Sequence, residues 1–158
     1  MIIREYKPED KEGIEKCSFE LQELEKELDP EMRINSIEIN RAYVELLLDK
    51  MEKRGGQIFV ADQDHKIAGF ISIAHGSQPL PYENFEKYIY VYDVVVLSEF
   101  RKQGIGERLM NRALDFGKEQ KADHIILDVL AKNKVAADFY RKRGFREGSI
   151  SMLKKLDD

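Results

Sequence analysis

The stretch that decides the fold runs Val94-Val95-Val96-Leu97-Ser98-Glu99-Phe100-Arg101-Lys102-Gln103-Gly104-Ile105-Gly106. It is an apolar run, a glycine-bearing turn and the first residues of a helical stripe, which reads as strand, turn and helix. The first N–H groups of a helix have no intrahelical partner, and the macrodipole adds roughly half a positive charge there. Gly104 and Gly106 lack Cβ atoms, so a phosphate can come close to the backbone. Arg101 and Lys102 bring formal positive charge to the mouth of the turn. The pattern is neither Gly-x-x-x-x-Gly-Lys-Ser/Thr nor Gly-x-Gly-x-x-Gly, since Glu107 and Arg108 follow Gly106 directly. A diphosphate suits this place, and an ordinary turn glycine pair is the plain alternative.

Working outward, Ile2 to Tyr6 reads as a short strand. Pro8, with Glu9 and Asp10, suits a first helical turn, and the stripe from Ile14 to Leu28 makes a helix ending near Pro30. Ile39, Tyr43, Leu46, Leu47 and Met51 recur at helical spacing up to Gly55-Gly56. Ile58 to Ala61 and Ile67 to Ala74 form a hairpin through Asp62-Gln63-Asp64-His65. A loop with Pro79 and Pro81 precedes the strand from about Tyr88 to Leu97. After the glycines come the helical stripe Ile105, Leu109, Ala113, Phe116 and Gln120, a strand from Ile125 to Leu130, and a helix from Asn133 to Arg143. Phe145 to Leu156 reads as one or two closing strands. The order predicts an α/β (α+β) domain: a mixed sheet with helices on both faces, without linker or repeat.

A chain of 158 residues, 42% hydrophobic, fits one globular domain over residues 1–158. No apolar run approaches the ~18 residues of a bilayer span, and Met1 to Tyr6 has no signal-peptide pattern. The lone cysteine, Cys17, sits in the stripe Ile14, Cys17, Leu21, Leu24, Leu28 and reads as a core thiol in a reducing, cytoplasmic setting. A net charge of −4 argues against a nucleic-acid partner, and nothing points to a membrane. Residues 1–31 carry eleven acids against five bases, whereas residues 101–118 carry five bases against two acids. Either an acidic lobe faces a basic one across a cleft, or both are solvated helix faces. No histidine pair or cysteine cluster has metal-ligand spacing, so no metal is expected.

The second half adds Asn133, a plausible N-cap, followed by Ala136-Ala137-Asp138-Phe139-Tyr140 and Gly144-Phe145. Tyr140 lies seven residues, or two helical turns, beyond Asn133. Together these motifs resemble the Gcn5-related N-acetyltransferase (GNAT) superfamily. Its acetyl-CoA motif, Arg/Gln-x-x-Gly-x-Gly/Ala after a valine-ended strand, matches Arg101, Gly104 and Gly106. Its second motif matches Asn133, Ala136, Phe139, Tyr140, Gly144 and Phe145. The resemblance covers Ile89 to Phe145 closely, and the N-terminal 75 residues in element order. It departs at Ser98-Glu99-Phe100, where many members place a proline before the aromatic.

The resemblance implies a mostly antiparallel central sheet splayed between strands 4 and 5, with acetyl-CoA as cosubstrate. The diphosphate of the coenzyme would sit on backbone amides of Lys102, Gln103, Gly104, Ile105, Gly106 and Glu107, beside Arg101. The pantetheine arm would pair with the strand of Val94, Val95 and Val96. Tyr140 would lie by the thioester sulfur, and Asn133 would contact the pantetheine or hold the wedge. The partner would be an amine acceptor, and the family habit favours a homodimer.

Attack of a neutral amine on a thioester makes three demands. The oxyanion needs fixed donors, for which N–H groups near Val94–Val96 are placed. The leaving thiolate, of pKa about 8.5, needs a proton, and Tyr140 is the candidate acid. The amine must be deprotonated: at a pKa of about 10.4 it is neutral about once in 2,500 molecules at pH 7, a penalty of roughly 4.6 kcal/mol. Asp93, just before the valines, is the first candidate base. Polyamine-type members of the superfamily carry Glu-Asp on this strand; here it reads Tyr92-Asp93. Alternation puts Asp93 on the opposite face from Tyr92 and Val94 unless a bulge intervenes, and a buried structural carboxylate paired with a basic residue is the other reading. His75 is a second base candidate, while His65 and His124 read as surface residues. The function expected is acetyl-CoA-dependent N-acetyl transfer to a small cationic amine or a peptide amine. The alternative is a non-catalytic coenzyme A-binding sensor or assembly module.

Overall fold

β-Branched and aromatic residues build the centre of the molecule. In the computed structural model, which describes residues 1–156, five strands form one sheet: β1 (Ile2–Glu5), β2 (Gln57–Gln63), β3 (Lys66–His75), β4 (Tyr88–Val96) and β5 (His124–Leu127). They lie in the order β1-β2-β3-β4-β5, antiparallel except for the parallel β4–β5 pair. Parallel neighbours need a crossover, and α3 (Ile105–Glu119) supplies it. The other helices are α1 (Lys11–Leu28), α2 (Ile37–Lys53) and α4 (Lys134–Arg141). The chain divides into two compact units, residues 1–128 and 129–158.

In the first unit, α1 and α2 cover one face of the sheet. Ile14, Cys17, Val44, Leu47 and Met51 from the helices pack against Ile58, Val60, Phe70, Ala74 and Val95 from the strands. Fully burying such side chains stabilises by about 1.5–3 kcal/mol each. On the other face Phe59 meets Phe116 of α3 edge to face, with ring centres 6.2 Å apart. Helices therefore flank the sheet on both sides, as the element order implies.

Local chemistry sets the boundaries. Pro8 fixes a single 3₁₀ turn, Pro8–Asp10, rather than the first turn of the α-helix, which begins at Lys11. Asp10 takes a bidentate pair from Arg4 at 2.7 and 2.8 Å, and Arg4 also reaches Asp62 at 2.9 Å, so β1, β2 and the turn are clamped together. Ser36 caps α2 by accepting the Ile39 N–H at 3.2 Å.

In the second unit, Asn133 caps α4, its Oδ1 accepting the Ala136 N–H at 3.1 Å. The closing strands expected over 145–156 are not formed: no strand occurs there among the described residues. A strand needs a ladder partner, and the alternation in this segment is broken by Gly148-Ser149 and by the adjacent Met152-Leu153. Ile150, Met152 and Leu156 are all exposed. No helix among the described residues is long and apolar enough to cross a membrane.

Candidate active site

Strand β4 changes its character halfway. Its parallel ladder with β5 ends at Val91↔Leu127, so the strand expected to reach Leu130 stops at Leu127. β4 itself continues to Val96, paired with β3 on its other side. Tyr92 to Val96 therefore have no β5 partner. Val94 and Val96 are half-buried and Val95 is buried.

A β-bulge falls where that ladder ends. Ser72 pairs with Asp93 and Ile73 with Val91, leaving Tyr92 as the extra residue. The exception to alternation therefore applies, and Asp93 does not oppose Tyr92. Tyr92 packs against the α1/α2 core, under Lys50 of α2, and Asp93 accepts a 2.7 Å hydrogen bond from the Tyr43 hydroxyl of the same helix. Both side chains turn to the α2 face. The Ser72 hydroxyl also donates to the Asp93 carboxylate at 3.2 Å and accepts the Asp93 N–H at 3.1 Å.

Asp93 is 8% exposed. Burial pushes its carboxyl up to about 6, against the pull of the Tyr43 and Ser72 hydrogen bonds, which favour the ionised form. Glu25 raises it further and Lys50 lowers it. Burial also drives the Tyr43 phenol upward, aided by the adjacent Asp93 charge. No basic residue forms an ion pair with Asp93 among the described residues, so the paired structural carboxylate does not describe it. Sequence reading missed Tyr43 and Ser72 as partners. The available signal was a phenol on an otherwise apolar stripe, since a buried tyrosine hydroxyl needs a hydrogen-bonding neighbour.

The turn after β4 takes its shape from the backbone. Leu97 closes the ladder by donating to Ala68 at 2.9 Å, and a 3₁₀ turn, Ser98–Phe100, follows. Lys102 and Gly104 then both take the left-handed conformation, at φ +61° and +75°. For Gly104 this costs no steric strain, and it forms the N-cap of α3 without any side-chain cap. A Cβ built on Gly104 would meet nothing within 4 Å among the described residues, so the approach to the turn is open on their side. The first helical bond runs from the Arg108 N–H to the Gly104 carbonyl at 3.1 Å. Ile105 is buried and anchors the helix, while Gln103 and Glu107 are exposed and Gly106 is half-buried.

Arg101 does not point its charge into this mouth. Its Nε donates to the Val96 carbonyl at 3.0 Å and its terminal nitrogen pairs with Glu20 of α1 at 2.9 Å. Glu20 also accepts the Ser98 N–H at 2.7 Å, so one carboxylate ties the turn to α1. Further along, Arg112 pairs with Glu119 and Lys118 with Asp115. The basic segment is thus largely neutralised locally, which fits solvated faces better than opposed charged lobes.

The other candidates fall as follows. Tyr140 sits on α4 in the second unit, its ring 5.4 Å from Phe139 and 5.7 Å from Phe145. Asn133 is buried and serves α4 as its cap. His75 ends β3, with its ring 6.4 Å from Phe116. His65 is in the β2–β3 turn and exposed; His124 opens β5 beside Asp123, also exposed.

The chain is similar to known proteins. The chain is 33% identical to streptothricin acetyltransferase of Streptomyces lavendulae over 95 residues, 60% of this chain and 47% of the relative. It spans about half the length of the curated relatives it matches. A mutant of the BH1408 protein of Bacillus halodurans superposes with a TM-score of 0.83 at 24% identity, covering 99% of each chain. The aminoglycoside N-acetyltransferase AAC(6')-Iy in complex with CoA superposes at 0.69 and 17% identity, covering 98% of this chain and 93% of the other. These two likenesses establish the fold alone. Residues 20–145 match the model of the acetyltransferase (GNAT) family, and the chain belongs to that family.

Proposed function

We propose that this protein is an acetyl-CoA-dependent N-acetyltransferase, residues 1–158 acting as one domain, that moves an acetyl group to a primary amine by direct attack. Acetyl-CoA supplies the activated thioester. The observation that carries the reading is the run from Tyr92 to Glu107: a strand edge left unpaired by β5, followed by a left-handed turn open at Gly104 and a helix N-terminus. The free edge is the length of strand an extended pantetheine arm would pair with, and the backbone N–H groups of Lys102 to Glu107 would hold the diphosphate. Arg101, tied to Glu20 and Val96, keeps the turn in register rather than binding by charge.

Asp93 is the base. Its carboxyl, raised to about 6 by burial, is mostly ionised at neutral pH and closer in strength to an ammonium than an ordinary aspartate is. The Tyr43 and Ser72 hydroxyls hold it in place, and the bulge at Tyr92 turns it to the α2 face. Backbone N–H groups of Val94–Val96 steady the developing oxyanion. The Tyr140 hydroxyl protonates the leaving sulfur, and Asn133 fixes the helix that carries it. A relative named streptothricin acetyltransferase supports acetyl transfer as the class of reaction.

Thermal unfolding with and without acetyl-CoA, paired with coenzyme A thiol release over a panel of primary amines, tests this. Stabilisation that Gly104→Asp removes, together with amine-dependent release, is expected. An unmoved melting temperature at millimolar acetyl-CoA would refute it.

A further inference from the structure

On the α2 side of β4 a cleft of about 240 Å³ is walled by Tyr88, Tyr90, Tyr92, Arg54, Gly76 and Ser77. That volume is room for about eight waters, or one small molecule. The three tyrosines alternate along β4 and so project to one side of it. Tyr90 and Tyr92 meet edge to face with centres 4.8 Å apart. The wall is held from behind: Tyr90 donates to Asp128 at 2.5 Å, and the Tyr88 hydroxyl accepts the Ser77 N–H at 3.1 Å. Gly76 is what lets Tyr88 lie there, because a Cβ at that residue would fall 2.0 Å from the ring.

Two cations border these rings. The Lys50 ammonium lies 5.0 Å from the centre of the Tyr92 ring, and Arg54 reaches the Ser77 hydroxyl at 3.4 Å. They are one helical turn apart at the C-terminal end of α2. Basic residues often sit there to complement the helix dipole. Lys53 does so, and it is paired with Asp49 at 2.8 Å. Among the described residues no acid forms an ion pair with Lys50 or Arg54. In a chain of net charge −4, Arg54 on the cleft wall and Lys50 over the Tyr92 ring, neither in an ion pair among the described residues, favour an anion there.

The cleft also adjoins the reacting strand. Tyr92 is the bulged residue immediately before Asp93, and a strand rises about 3.3 Å per residue, so Val94 lies about 7 Å further on. We propose that the cleft takes a primary amine that also bears a carboxylate. The carboxylate lies against Lys50 and Arg54, the aliphatic chain on the tyrosine rings, and the amine toward Asp93. This rests on the acyl-transfer reading of the same strand and narrows its acceptor. It runs against the small cationic amine expected from sequence, because Lys50 and Arg54 are the charges at the cleft without an ion-pair partner among the described residues.

The test compares 4-aminobutyrate, 5-aminopentanoate and 6-aminohexanoate with their primary carboxamides, and with putrescine and spermidine, as acceptors in coenzyme A thiol release. A carboxylate should exceed its amide in kcat/KM by about tenfold at low salt, and the ratio should shrink at high ionic strength. Arg54→Gln should lower the ratio, and Arg54→Lys, which keeps the charge, should retain most of it. Amides or diamines used as well as the carboxylates, no carboxylate turned over, or a ratio unmoved by Arg54→Gln would each overturn the inference. Acetyl-CoA stabilisation measured on the same samples separates the two claims. Stabilisation without carboxylate preference removes the acceptor assignment alone, while absence of stabilisation removes the acyl-transfer reading as well.

Discussion

Replacing Asp93 by asparagine should slow the reaction sharply and, above neutral pH, make the protein more stable. The carboxyl stands at about 6 in the folded protein against an ordinary 3.8, because burial disfavours the charged form. Since the folded value is the higher one, its contribution to stability is fully present below pH 3.8 and lost as pH rises through 6. The full effect is about 3 kcal/mol, of which about 2 kcal/mol is expressed at pH 4.5 and almost none at pH 8. Asparagine keeps an oxygen for the Tyr43 and Ser72 hydroxyls but does not ionise. Glu25 and Lys50, the other charges acting on Asp93, pull in opposite directions and remain unchanged in the variant. Urea unfolding of both proteins at pH 4.5 and 8 measures the difference directly. The stability of Asp93→Asn relative to wild type should rise by about 2 kcal/mol between the two pH values, while kcat/KM falls by about 10²–10⁴. A stability difference that does not change with pH would refute the argument that Asp93 is buried and ionised at a cost, and full activity would remove it as the base.

Tyr43→Phe removes a hydrogen bond that favours ionised Asp93, so the acidic limb of the kcat/KM–pH profile should move to higher pH; an unmoved limb would uncouple Tyr43 from the base. Tyr140→Phe should lower kcat by roughly ten- to a hundredfold without abolishing turnover, since a thiolate of pKa about 8.5 leaves tolerably unaided; an unchanged kcat would exclude it as the acid. Cys17 is fully buried, and burial pushes its thiol up to about 12, so a thiol reagent should label it only at the rate of unfolding. Fast labelling of native protein would contradict the packing of α1 on the sheet.

Much of the fold is legible because patterns repeat over enough residues. The stripes of α1, α2 and α3 and the apolar runs of β2, β3 and β4 identify their elements, and the glycine-bearing turn at Gly104 places the junction between β4 and α3. What escapes sequence is set by partners rather than by pattern. The bulge at Tyr92 arises from the register between β3 and β4, so one strand's alternation cannot decide between the two faces left open for Asp93. Tyr43 looks like any stripe residue until the sheet brings Asp93 beneath it. The left-handed backbone of Lys102 has no glycine to announce it. The apolar residues of 150–156 resemble a strand, yet a strand requires a ladder that the sequence of one segment does not supply. Arg101 reads as charge for a phosphate, whereas Glu20, 81 residues earlier in the chain, claims it.

The central claim is that main-chain N–H groups from Lys102 to Glu107 receive the diphosphate of the coenzyme. Amide resonances of those residues, followed by NMR during titration with coenzyme A and separately with pantetheine, which lacks the diphosphate, test it most directly. The account predicts large shifts of the Gly104 and Gly106 amides with coenzyme A and little movement there with pantetheine. Binding of coenzyme A that leaves those two amides in place would contradict it.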